Sequence, residues 1–418
     1  MKITAVKGFN DILPIETPKW QYIERAVREI FHSYGYDEIR VPIVEKTAVF
    51  TRSIGEATDI VEKEMYTFPD KKEALLTLRP EGTAPVVRAF LQNTLYAKSH
   101  INKLYYTGPM FRYERPQKGR YRQFHQIGAE VFGASEPFVD AEMLAMAMHF
   151  FRKLSLTNLS LQINSLGCEE CRGKYKKLLV EYFSEYTDSL CDNCARRLNV
   201  NPLRILDCKA KGCNELKVDA PLMSSSLCNC CADHFGAVKM NLNELDVPYT
   251  VNEHMVRGLD YYTKTTFEIT TDMLGAQNAV AAGGRYDKLC EIFGGPKTPA
   301  IGFAIGIERL ILLLNSKDSY HTTPYVFIAA IGADAKKIAF KILNDIRKRG
   351  VSSEMEFCDK SLKSQMRRAG KDEYQHVLII GEDEMANQTA LLRDMTTKEQ
   401  ISLPFENIAD EIKKHCVK

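Results

Sequence analysis

Between Met255 and Ile269 the chain reads MVRGLDYYTKTTFEI. Arg257, Asp260, Tyr261 and Tyr262 crowd together just ahead of a run that alternates like a strand. A surface loop has no use for two large aromatics there, and a core strand has none for an arginine and an aspartate. The mixture suits a pocket for a ligand that is both anionic and aromatic, since guanidinium pairs with anions and phenol offers a ring with a polar tip. A second group lies in KLYYTGPMFRYERPQKGRYRQFHQIGAEVFG, which reads as a long hairpin. Strand side chains alternate faces. Tyr105, Thr107, Pro109, Phe111 and Tyr113 therefore share one face of the first strand, with Arg112 and Glu114 on the other. On the second strand Ile127, Ala129 and Val131 oppose Phe124, Gln126 and Glu130. One side packs on a core; the other gathers a guanidinium, a ring, an amide and carboxylates, the set that a small zwitterion beside a nucleotide requires. A solvated sheet face is the competing reading. Against it stands the connecting loop ERPQKGRYRQ, where Arg115, Lys118, Arg120 and Arg122 are denser than a solubilising tip needs.

Cysteine spacing points to different chemistry. Of the twelve cysteines, nine fall between 168 and 232. Cys168 and Cys171 (CEEC), then Cys191 and Cys194 (CDNC), follow the C-x2-C…C-x2-C layout of a structural zinc site. The alternative is a set of buried reduced thiols. Cys208, Cys213, Cys228, Cys230 and Cys231 follow, while Cys290, Cys358 and Cys416 are isolated.

These groups need elements to hold them. TPKWQYIERAVREIFHSYGYDEIRVPIVE predicts a helix capped by Thr17 with Pro18 at its first position, an end at Gly35, and a strand through Ile39, Val41 and Ile43 that Pro42 confines to an edge. LLTLRPEGTAPVVRAFLQ predicts a strand, a turn at Arg79–Gly82 and a helix from Thr83; PFVDAEMLAMAMHFFRKL predicts another helix. The cysteine-rich stretch lacks strand alternation and reads as an insertion. Strands resume over 249–271 and through AAGGRYDKL to PAIGFAIGIERLILLL, where Gly302 and Gly306 suggest close backbone approach to a ligand. NSKDSYHTTP reads as a linker, after which strands over 325–331, 351–357, 376–380 and 389–394 interleave with helices over 333–349 and 361–369, and a final helix closes a small α/β domain.

These residues also carry a family resemblance. The hairpin GPMFRYERPQKGRYRQFHQIGAEVFG resembles the second signature of class II aminoacyl-tRNA synthetases, and IGFAIGIERL is similar to their third. RPEGTA, VRGLDYY and AGGRYD narrow the resemblance to the histidyl-tRNA synthetases, and it runs from KGFNDILP to SLKSQMRRAGKDEYQHVLIIGEDEMANQT. It implies an α+β fold: a class II antiparallel sheet of six or seven strands flanked by helices over 1–320, interrupted by the Cys-rich insertion at about 168–232. An α/β anticodon-binding domain over 324–418 would follow. It implies ligation of histidine to the 3′ end of tRNA(His) through a histidyl-adenylate, with ATP and Mg2+, by a homodimer. By resemblance Arg112 and Arg257 grip the α-phosphate, Arg309 holds the γ-phosphate end over an adenine whose other face meets Phe124, and Glu114 helps a magnesium ion or Arg112. Glu81, Thr83 and Gln126 take the α-amino group; Glu130, Tyr261 and Tyr262 take the imidazole. AGGRYD places Gly283, Gly284 and Arg285 on a turn lining the same pocket, with Asp287 structural. Arg115 and Gln117 meet the tRNA acceptor end, and Lys363, Arg367, Arg368 and Lys371 offer a phosphate track near the anticodon. The resemblance implies no zinc in catalysis, and many members of the family lack these thiols. The rival reading is a catalytically inactive synthetase-like regulatory subunit of histidine biosynthesis, which typically lacks the last domain and several ligands that are present here.

Bulk properties are compatible with this and exclude little. With 26% charged and 45% hydrophobic residues the chain belongs to ordinary globular proteins, and 418 residues suggest two or three domains. A formal charge of +2 does not decide for or against a nucleic-acid partner, because local basic patches suffice. MKITAVKGFN lacks the apolar stretch of a signal peptide, and no apolar run approaches the ~20 residues of a membrane span, so a cytoplasmic address with reduced thiols is expected.

Overall fold

Thr17–Ser33 is a helix whose inward stripe is Trp20, Ile23, Val27, Ile30 and Phe31, apolar residues at the 3.6-residue period. It begins one residue earlier than its sequence suggests: Glu16 is the cap position, and Thr17 Oγ1 instead donates to the Leu13 carbonyl at 3.0 Å. Gly35 ends it in the left-handed region at φ +77°, after which Tyr36 turns back into the core. The structure is a computed structural model that describes residues 2–55, 58–275, 278–315, 320 and 326–416. The chain divides into two compact units, Met1–Asp318 and Ser319–Lys418. Most of the expected linker, 316–319 and 321–324, lies outside the described residues.

The first unit is built on an eight-stranded sheet with the order Asp37–Glu38, Asn102–Phe111, Gln123–Phe132, Ala300–Gly306, Ala279–Arg285, Thr263–Thr270, Ser160–Ser165, Thr250–Val251. The six inner strands pair antiparallel throughout. Each edge is a two-residue strand paired parallel, too short for periodicity to announce it. The hairpin register sets Gln126 opposite Gly108 and Glu130 opposite Leu104. On the opposite face Tyr105 and Phe303 meet Phe31, which also packs on Phe150 of the helix Pro137–Lys153, so this face is covered by the first helix and that one.

The strand expected through Ile39, Val41 and Ile43 does not form. Only Asp37–Glu38 pairs with the large sheet, and Val44–Lys46 belongs to a separate three-stranded sheet with Leu75–Leu78 and Tyr66–Pro69. Proline 42 cannot donate to a ladder. Buried Arg79 holds this stretch instead, donating from Nη1 to the Val41 carbonyl at 2.9 Å and from Nε to the Pro109 carbonyl at 2.8 Å. The cysteine-rich segment is helical, with Glu169–Ser184, Asp192–Val200, Lys211–Leu216 and Asn229–Glu244. Its expected end at 232 falls inside the last of these, which packs against Pro137–Lys153. Tyr175, Leu179 and Phe183 share a core with Phe132, Tyr261 and Tyr286, so the segment adjoins the sheet.

The second unit is a five-stranded sheet ordered Ser353–Met355, Val326–Ala330, His376–Ile380, Thr389–Asp394, Gln400–Pro404. The edge strand Gln400–Pro404 carries no alternation to announce it, because only Leu403 of its five residues is buried. The helix Ala333–Lys348 buries Ala335, Ala339, Ile342, Leu343 and Ile346 against this sheet.

Candidate active site

A cavity of about 310 Å³ opens on the large sheet of the first unit, a size that suits a small ligand. Arg112, Arg257 and Arg309 line it, brought from the end of one strand, an irregular loop and the start of the helix Ile307–Leu313. Glu81, Thr83, Glu114, Phe124, Gln126, Tyr261 and Tyr262 line it as well. Among residues expected here, Glu130 does not reach the lining.

Each arginine is oriented by the protein. Arg112 donates from Nε to the Pro80 carbonyl at 2.8 Å and lies 5.4 Å from the centre of the Phe124 ring, a cation–π distance. Arg309 is held through Nη1 by the Ala279 carbonyl and through Nε, at 3.5 Å, by that of Gly119. Arg257 bonds Glu268 from Nη1 at 2.8 Å, while its buried Nε has no hydrogen-bond partner among the described residues. Burial works against the charge on Arg257, but Glu268 and the Tyr262 phenol more than offset it and raise its pKa. Glu114 is paired with Arg120 and lies 4.0 Å from Arg112. It is a hard oxygen donor beside Arg112 and Arg120, the kind of group magnesium takes.

The acidic side of the cavity is set by the start of the helix Thr83–Gln92. Glu81 accepts the Thr83 N–H at 2.7 Å and the Ala84 N–H at 2.8 Å, satisfying donors that a helix start leaves open. Its carboxyl is pushed up by burial, with those two bonds pulling the other way. Thr83 Oγ1 then donates to Glu130 at 2.8 Å, and the Tyr106 and Tyr286 hydroxyls donate to the same carboxyl. Glu130 is fully buried, and burial outweighs these three hydroxyls to push its pKa up to about 8. Gln126 Oε1 is buried and has no partner among the described residues, although its residue faces the cavity. Tyr261 and Tyr262 form a wall with ring centroids 4.7 Å apart, and Tyr262 is pushed up to about 12 by burial.

Several residues expected at the site do other work. Arg285, read as pocket lining, is fully buried in the strand Ala279–Arg285 and is bound to Asp140, with Nε–Oδ2 at 2.8 Å and Nη2–Oδ2 at 2.6 Å. It also pairs with Asp287 at 3.2 Å. A cation that is out of water and fully paired inside is a structural group. Gly283 and Gly284 lie in the same strand rather than on a turn, and a Cβ on Gly283 would stand 2.2 Å from the Gly302 carbonyl. Gly302 makes room for a side chain and not for a ligand, since its Cβ would fall 1.6 Å from Glu130 Oε2. Gly258 and Gly306 are not tight, with nearest neighbours at 3.7 and 3.8 Å. Arg122 stacks on Tyr113 at 3.8 Å and Arg120 turns to Glu114, which leaves Arg115, Gln117 and Lys118 exposed on the loop. Arg368 is bound to Glu354, Glu356 and Asp372, so the expected basic track keeps only Lys363, Arg367 and Lys371 exposed.

Glu268 and Glu308, which no motif singles out, line the cavity, and Arg120 of the basic loop joins them. For Glu268 a signal existed, as the one acid in the alternating run TKTTFEIT that follows Arg257. The thiols also group differently from their order in the chain. Cys168 and Cys171 meet Cys228 and Cys231, while Cys191 and Cys194 meet Cys208 and Cys213, so the expected single foursome is two.

Among the described residues no helix is long and apolar enough to cross a membrane. Residues 8–169 and 202–310 match the family model for Histidyl-tRNA synthetase, and residues 325–415 match that for Anticodon binding domain. The Histidine--tRNA ligase of Geobacter metallireducens is 55% identical over 413 residues, spanning 98% of this chain and 100% of the relative. That of Syntrophotalea carbinolica is 54% identical over 408 residues, spanning 98% and 97%. The crystal structure of apo S. aureus histidyl-tRNA synthetase superposes with a TM-score of 0.84 at 36% identity, covering 99% of this chain and 100% of that one. The chain belongs to the histidyl-tRNA synthetase family.

Proposed function

We propose that the chain is a histidine–tRNA ligase, which joins histidine to AMP and passes the acyl group to tRNA(His). In the first step a carboxylate oxygen of histidine attacks the α-phosphorus of ATP; the new C–O–P bond forms as the bond to pyrophosphate breaks. Charge builds on the α-phosphate and on the leaving pyrophosphate, so fixed cations serve better than a nucleophile. Arg112 and Arg257 serve the α-phosphate, and Arg309 serves the γ-phosphate end with the adenine between it and Phe124. In the second step a ribose hydroxyl at the tRNA 3′ end attacks the acyl carbon and AMP leaves. The observation that carries this reading is the convergence of Arg112, Arg257 and Arg309 on one cavity.

For the amino acid, Glu81 and Thr83 with Gln126 take the α-ammonium; the partnerless Gln126 Oε1 is an acceptor suited to it. Tyr261 and Tyr262 receive the imidazole, with Glu130 behind Thr83 setting the polarity of that end. Bound magnesium would neutralise triphosphate charge, and Glu114 is the residue that would hold it. The cysteine-rich segment is a structural metal module.

The catalytic domain is assigned to 1–320 and the anticodon-binding domain to 324–418, with Arg115 and Gln117 meeting the acceptor end. A cytoplasmic twofold dimer completes the reading. The surface offered to the second copy includes Ile43, Val44, Phe68 and Leu75, apolar side chains exposed on and beside the three-stranded sheet. The regulatory-subunit alternative is not favoured, because the ligase relatives match over nearly the full chain. Charging tests the reading: the chain should attach radiolabelled histidine to tRNA(His) and to no other tRNA, and a chain that charges none contradicts it.

A further inference from the structure

From the grouping of thiols we infer that the cysteine-rich segment holds two separate tetrathiolate zinc sites, one nested inside the other along the chain. The outer site is Cys168, Cys171, Cys228 and Cys231; the inner is Cys191, Cys194, Cys208 and Cys213. This deepens the reading of the segment as a metal module and does not depend on the ligase reaction.

In each foursome the sulfurs lie within 4.8 Å of one another. Tetrahedral zinc with Zn–S near 2.3 Å places its sulfurs about 3.8 Å apart. Cys168 and Cys171 Sγ are separated by 3.5 Å, and Cys191 and Cys208 Sγ by 3.8 Å, against the ~2.05 Å of a disulfide bond. All eight are free cysteines. Soft sulfur in sets of four, with no oxygen donor, is the set that zinc prefers over magnesium or calcium.

The local structure presents the thiols. Cys168, Cys191 and Cys228 each occupy the cap position of a helix, and Cys171, Cys194 and Cys231 lie three residues further on, so each C-x2-C pair projects from a helix start. Backbone N–H groups converge on the sulfurs: Cys228 N–H donates to Cys171 Sγ at 3.1 Å, Cys191 N–H to Cys213 Sγ at 3.3 Å and Ala210 N–H to Cys208 Sγ at 3.4 Å. Such bonds orient thiolate ligands and offset their charge.

The sites have work beside the cavity. Between the inner ligands Cys194 and Cys208, Asn201 donates to Asp260 Oδ1 at 3.1 Å and Arg204 to the Gly258 carbonyl at 2.6 Å. Arg172, next to Cys171, donates to the carbonyls of Asp260 at 3.3 Å and Tyr262 at 3.0 Å. Both sites thereby anchor the loop that carries Arg257 and the two tyrosines.

The test is metal analysis of the full chain purified without chelator, with no ATP or histidine added. Two zinc ions per chain are expected, one for each foursome. Cys208→Ser with Cys213→Ser should retain one, and Cys228→Ser with Cys231→Ser should retain one. Should either variant fail to fold, titration of the wild-type thiols with a mercurial reagent gives the same answer, releasing both zinc ions with the eight cysteines. Anaerobic cobalt reconstitution should saturate at two equivalents with tetrahedral thiolate absorption bands. Metal-free protein that gives no cobalt–thiolate spectrum overturns the proposal, as does a wild-type chain that holds only one zinc and loses it when either pair is substituted. Two ions in a chain that fails to charge tRNA would contradict the ligase reading alone.

Discussion

Arg257 is the side chain whose loss tests the chemistry most sharply, because Glu268 fixes one of its nitrogens while Nε has no partner among the described residues. A single guanidinium–phosphate contact at an effective dielectric of 20 is worth about 4 kcal/mol before desolvation is subtracted. Arg257→Ala should therefore slow adenylate formation by roughly 10²–10³-fold, the scale on which one oxyanion donor acts, with little change in the melting temperature. Pre-steady-state quench-flow measures it. Gln126→Ala should instead raise KM for histidine about tenfold or more, the worth of one hydrogen bond to a charged group, with a smaller effect on KM for ATP. Glu130 makes a prediction about pH. Its carboxyl is raised from 4.5 to about 8 in the folded chain, so the native state binds the extra proton between those values. Stability from this group must fall as pH rises across that window, because the unfolded chain releases its proton first. Glu130→Gln should flatten the decline of Tm with pH over that interval, and an unchanged slope would contradict the assignment.

At the scale of elements, the hairpin and the helix starts decide what reaches the cavity. Parity puts Gln126 and Phe124 on one face of their strand, and both line the cavity. Parity could not say that Glu130, on the same face, would lie beneath Thr83, because that depends on how the Thr83–Gln92 helix lands on the sheet. The glycines follow the same rule. Gly302 sits opposite Glu130 in the ladder and leaves room for its carboxyl, a cross-strand requirement invisible in one strand's sequence. Gly302→Ala is expected to destabilise by about 1–3 kcal/mol through overpacking, read as a drop in denaturant midpoint. Arg285 departs from its expected place for a related reason: its partner Asp140 comes from the distant helix Pro137–Lys153. Asp140→Ala would strand a buried guanidinium and should cost about 3–5 kcal/mol by chemical denaturation.

For the whole molecule, helix periods and strand alternation in long elements were legible, as were the motifs that converge on the cavity. The two-residue edge strands, the exposed strand Gln400–Pro404 and the pairing of the cysteines were not, since each is decided by partners far along the chain. Exposed Ile43 and Val44 set an expectation at this scale as well. Val44→Asp should shift the chain from dimer to monomer in analytical ultracentrifugation, and a wild-type chain that sediments as a monomer at micromolar concentration would contradict the twofold assembly. The central claim concerns three arginines acting on one triphosphate for one amino acid. ATP–pyrophosphate exchange, run with the full set of amino acids, tests it most directly. Exchange is expected with histidine and with no other, and it should collapse in Arg112→Ala, Arg257→Ala and Arg309→Ala alike; exchange with a different amino acid, or none with histidine, would contradict the account.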